Sequence, residues 1–153
     1  SAVFVLGNGS NDITVSTNTT FDANVTVTGG KAGDNLQFNN SVISGLLSAT
    51  LGNGTNALNS GGTISGGLTY SGGANGDTIT LGNGDGLAGD VSISTGAGID
   101  SVTISNTNNV AVTSLTVDLG VDSAGDTLTY DAVFDALITI LNQGSGDTVT
   151  SVP

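Results

Sequence analysis

Along this chain of 153 residues, short bursts of alternating aliphatic and polar residues are separated by glycine-rich corners. The corners GNGSND, GGKAGD, LGNGTN, GGANGD, TGAGID, DSAGD and QGSGD align Asn11, Asp34, Asn56, Asp77, Asp100, Asp126 and Asp147. Their spacing is about 22 to 23 residues, within the range of solenoid repeats. Two positions after each stands an aliphatic residue: Ile13, Leu36, Leu58, Ile79, Val102, Leu128 and Val149. The next position is polar every time: Thr14, Gln37, Asn59, Thr80, Thr103, Thr129 and Thr150. Alternation of period two predicts a strand with one buried face after every corner.

A second strand is predicted where the triplets VTV, LSA, LTY, VSI, LTV and ITI place Thr26, Ser48, Thr69, Ser92, Thr116 and Thr139 between two inward residues. Four positions before each triplet lies a third apolar column, Phe21, Ile43, Ile64, Leu87, Ala111 and Phe134. Three inward columns per repeat predict a flattened or triangular coil. The expected fold is all-β: one single-stranded parallel β-solenoid over residues 1–153, with about six to seven coils of about 22 to 23 residues. Like residues then stack about 4.8 Å apart in successive coils, and glycine lets the corners turn tightly.

Composition narrows the chemistry. There are 25 glycines, one proline, no cysteine and no histidine, and all 13 acidic residues are Asp. Asp favours turns and competes with the backbone in helices, which argues against long helices. Lys31 is the one basic residue, and the net charge of −12 excludes an electrostatic footprint on nucleic acid or anionic lipid. Without cysteine or histidine there is no disulfide, no thiolate nucleophile and no imidazole base or ligand. No apolar run reaches the roughly 20 residues of a membrane-spanning helix. Starting at Ser1, the chain is expected to be a processed mature protein or an excised piece.

The corners resemble the hemolysin-type calcium-binding (RTX) repeat, whose nonapeptide is G-G-x-G-x-D followed by x, an aliphatic residue and x. TGAGIDSVT at 95–103 departs from it at Thr95, GGKAGDNLQ at 29–37 at Ala32, and GGANGDTIT at 72–80 at Asn75. The nonapeptides are not in tandem, and each coil is longer than two of them. The resemblance implies Ca2+ held by Asp34, Asp77, Asp100, Asp126 and Asp147, with Asn11 and Asn56 departing from the pattern. Aspartates stacked at coil spacing repel, and bound cations are one remedy besides solvation and protonation. The alternative is that these residues satisfy backbone donors at the turns. The GNGDGLAGD stretch, with Asp85 and Asp90, is a further candidate calcium loop.

Threonine pairs at 78 and 80, 127 and 129, and 148 and 150, with Ser101 and Thr103 between them, form a T-x-T ladder of the kind seen on ice-binding solenoids, although strand propensity also favours Thr there. Carboxylates without a basic or metal partner are poor catalysts, so no enzymatic activity is expected.

Both ends are expected to present incomplete coils. Val3 and Val5 align with the inward pair of a second strand, Phe4 takes the outward slot, and GDTVTSVP supplies a final first strand. Raw strand edges are templates for association. The expected function is a structural subunit of an extracellular filament or surface layer, secreted or held at the cell surface. Copies would stack head to tail through Val3, Phe4, Val5, Asp147, Val149, Thr150 and Val152, without nucleic acid, membrane insertion or small-molecule substrate. The alternative is a calcium-stabilised repeat region of a longer secreted adhesin, with an ice-binding solenoid a further reading.

Overall fold

A computed structural model of the chain describes residues 1–82, 86–105, 111–122 and 125–153. It is an all-β parallel solenoid of about six turns, built on two long sheets. The first sheet stacks β1 (Ala2–Val5), β4 (Val25–Thr28), β6 (Leu47–Thr50), β8 (Leu68–Ser71), β10 (Ala88–Ser94), β12 (Ala111–Asp118) and β14 (Ile138–Leu141) in that order. The second stacks β2 (Asn11–Val15), β5 (Asp34–Ile43), β7 (Ala57–Ile64), β9 (Thr78–Leu81), β11 (Ser101–Ile104), β13 (Thr127–Asp131) and β15 (Thr148–Val152). The short β3 (Thr20–Phe21) pairs with the far end of β5. Among the described residues the one helical element is a 3-10 turn at Ala132–Phe134, capped by the Asp131 carboxylate.

The register follows the repeat. Ile13, Leu36, Leu58, Ile79, Val102, Leu128 and Val149 form one continuous inward column. Facing it from the first sheet, Val25, Leu47, Leu68, Val91, Leu115 and Ile138 form a second. Alternation buries every second side chain of β4, β6 and β8, and the two inner faces meet in a thin, stacked core. At about 25 cal/mol per Å² of apolar area, each coil is stabilised chiefly by what it buries against its neighbours. The close stacking demands glycine at the corners: at Gly96, with φ +97°, an added Cβ would lie 2.1 Å from the Gly73 carbonyl oxygen one coil away.

Two expectations are corrected. In β1, Ala2 and Phe4 pair with Val25 and Val27, so they point inward, while Val3 and Val5 pair with Thr26 and Thr28 and stand 66% and 76% exposed. Gly7 is stacked on Gly30 and not on Gly29, since a Cβ on Gly30 would meet the Gly7 carbonyl oxygen at 2.2 Å. A slip of one residue turns every side chain over. The observed register packs Phe4 and Leu6 against the core, which gains more apolar burial than two valines. In the third column, Phe21, Ile43 and Ile64 stack as expected, but Ala111 is exposed and Val112 is buried instead. A bulge between Gly89 and Asp90 opposite Val112 and Ser114 leaves Thr113 unmatched and shifts the inward position by one.

Candidate functional site: the inward Asx ladder

The aligned Asx residues stand two positions before the first inward aliphatic residue, and in a strand of period two that places them on the same face. Asp34, Asn56, Asp77 and Asp100 are each 1% exposed and Asp126 is 2% exposed, all lying inside the coil wall. Every side chain in the file after Asn11 reaches back one coil to the backbone. Asp34 Oδ1 accepts from Asn11 N at 3.1 Å, Asn56 Oδ1 from Asp34 N at 3.0 Å, and Asp77 Oδ1 from Asn56 N at 2.9 Å. The series continues with Asp100 Oδ1 accepting from Asp77 N at 2.7 Å, Asp126 Oδ1 from Asp100 N at 2.8 Å and Asp147 Oδ1 from Asp126 N at 2.9 Å. Six bonds of one kind join the seven successive corners and satisfy backbone donors that the sheet ladder leaves over.

The second side-chain atom separates the amides from the acids. Asn56 Nδ2 donates to the corner carbonyls of Gly52 at 3.1 Å and Gly54 at 2.9 Å, and to Asp77 Oδ1 at 3.0 Å. Asn11 Nδ2 likewise donates to Gly9 O and, at 2.8 Å, to Asp34 Oδ1. Asp77 Oδ2 accepts from the Tyr70 hydroxyl at 3.0 Å. Asp34 Oδ2 and Asp100 Oδ2 are buried and have no hydrogen-bond partner. Burial pushes the Asp77 carboxyl up to about 6, with hydrogen bonds from Asn56 and Tyr70 opposing that shift and Asp100 adding to it. Burial raises Asp126 as well, opposed by the hydrogen bond from the Asp100 N–H, while the charges of Asp100 and Asp147 add to the rise. The Tyr70 phenol is held far above the ordinary tyrosine range by burial and then by the neighbouring Asp77.

These residues do not fit the calcium role that the corner motif implies. Calcium takes six to eight oxygens in an open, flexible shell. Here each Oδ1 is already bound to an N–H, and the flanks of the carboxylates are closed by backbone: a Cβ added to Gly72 would lie 1.9 Å from Asp77 Oδ2, and one on Gly29 2.2 Å from Asp34 Oδ2. Among the described residues no three acidic side chains come together at one point. Of the second candidate loop, Asp85 lies outside the described residues. Asp90 sits on the outer face of β10, where hydroxyl donation from Thr113 at 2.6 Å and Ser114 at 2.7 Å holds its carboxyl below the usual range.

Outside the coil, the second sheet carries two files of polar side chains in register. One runs Thr78, Ser101, Thr127, Thr148 and the other Thr80, Thr103, Thr129, Thr150. At the ends of the stack the interface candidates separate into two kinds. Phe4 and Val149 are partly buried against the core, while Val3, Val5 and Val152 are exposed. Thr150 points outward, and Asp147 belongs to the ladder.

Fold and ladder together define a repeat protein, a parallel β-solenoid whose coils are joined through sheet, core and side-chain ladder alike. Compared with known proteins, the chain matches no protein-family model, no curated protein and no solved structure.

Proposed function

We propose that this chain is a structural subunit that stacks end to end with copies of itself to build an extracellular filament or surface layer. The observation that carries the reading is that the outermost strands expose the cross-section that interior coils bury. β1 and β2 present Ala2, Phe4, Leu6 and Ile13 at one end, and β14 and β15 present Ile138, Ile140 and Val149 at the other. The ladder is open there too: Asn11 Oδ1 accepts from no described residue, and the Asp147 N–H turns back to Gly144 O at 3.3 Å. Docking one end on the other extends the columns from Val149 to Ile13 and from Thr150 to Thr14, and brings the Asp147 N–H over the Asn11 side chain. Such a contact is heterologous and propagates. Lys31 as the sole tryptic site suits a protein exposed outside the cell.

Electron microscopy and sedimentation over a range of protein concentrations test this, and filaments are the expected outcome. Monomers at every concentration would instead favour a repeat region whose neighbouring coils belong to its own longer chain.

A second reading draws on the outer hydroxyl files, spaced about 4.8 Å along the stack. A flat array of this kind suits ordering of surface water, and the measurement is thermal hysteresis of freezing. Activity lost on Thr103→Tyr, without loss of fold, is the outcome expected of an ice-binding face.

A further inference from the structure

We infer that the inward Asx file is a metal-free hydrogen-bond ladder in which the amide is the better residue, so that its four consecutive aspartates weaken the second half of the solenoid.

The argument rests on what each kind of side chain does at the same position. At Asn56 one amide makes every bond the site offers: its oxygen accepts from Asp34 N, and its nitrogen donates to Gly52 O, Gly54 O and Asp77 Oδ1. A carboxylate supplies the first bond and none of the others, because it has no hydrogen to donate. The consequence is visible at Asp34 and Asp100, whose Oδ1 atoms accept from Asn11 N and Asp77 N while both Oδ2 atoms are buried without a partner. An unsatisfied buried oxygen costs far more than the average hydrogen bond gains.

The order of residues along the file adds an axial effect. Asn11, Asp34, Asn56 and Asp77 alternate, and each amide donates to the carboxylate of the following coil, at 2.8 Å and 3.0 Å. Asp77, Asp100, Asp126 and Asp147 then follow without an amide, so carboxylates of successive coils face one another with no N–H between their side chains. Asp100→Asn restores the alternation and gives a donor to the buried second atom. Its volume is nearly unchanged, and Asn56 shows that the site accepts it.

The metal-binding alternative makes the opposite prediction for the same variants, so thermal unfolding of the whole chain, in excess EDTA and in excess calcium chloride, decides between them. The ladder requires that calcium leave the wild-type midpoint unchanged. Asp100→Asn should raise the midpoint by roughly 3 to 5 °C in both buffers, and the reciprocal Asn56→Asp should lower it by a similar amount. If calcium raises the wild-type midpoint and Asp100→Asn abolishes that response, the inference is overturned. It is also overturned if Asp100→Asn lowers the midpoint or fails to fold, or if Asn56→Asp is the more stable protein.

Discussion

Asp77 shows what burial does to one carboxyl in this wall. Its folded-state value is raised from the ordinary 3.8 to about 6, so the folded chain holds this proton more tightly than the unfolded chain does. Stability from that source is complete below the unfolded value and is lost as pH rises through about 6. Asp126 is shifted in the same direction by its burial and contributes with the same sign. The thermal midpoint is therefore expected to fall as pH is raised from about 4 to about 7, by several degrees, and Asp77→Asn should flatten that slope. Circular dichroism melts at a series of pH values check this, and a midpoint that climbs over the interval would contradict it.

At the scale of the strand, parity governs everything, because alternate residues face opposite ways. β1 illustrates how little separates two registers: Gly7 stacked on Gly29 would bury Val3 and Val5, while Gly7 stacked on Gly30 buries Phe4. The choice has a direct test. Phe4→Ala should lower the thermal midpoint by roughly 5 °C, less than a fully buried phenylalanine would cost because Phe4 lies in an end layer. Val3→Ser and Val5→Ser should leave the midpoint unchanged, since both side chains stand in solvent. The reverse pattern of stabilities would restore the register expected from the glycine alignment.

For the molecule as a whole, a solenoid is held by contacts between neighbouring coils, which makes folding and assembly separable. Val149→Asp places a charge in the terminal core column, where only the final layer feels it within one chain. In a stack, the same charge lies between two copies and meets Ile13 of the next, with no water to solvate it. Filaments are expected to disappear with this substitution while the strand signal in circular dichroism persists. Filaments of normal length from Val149→Asp would shift the contact away from the coil ends, toward lateral packing of the outer Ser and Thr faces.

Much of this architecture is legible in the sequence because a repeat states each rule several times. The column of Ile13, Leu36, Leu58, Ile79, Val102, Leu128 and Val149 emerges from spacing alone, and so does the all-β solenoid. The inward direction of the Asx file was available from the same parity, since Asp34 and Leu36 are two residues apart, but the corner motif directs attention to turn and metal chemistry instead. Registers at irregular places were not legible. The slip at β1 and the bulge that exchanges Ala111 for Val112 turn on single-residue offsets, which are settled by competing burial against a neighbouring coil. Only the tertiary structure could show the bond from each Asx side chain after Asn11 to the backbone one coil back. Its partners lie 21 to 26 residues apart, and no local pattern records which oxygen finds a donor and which is buried without one.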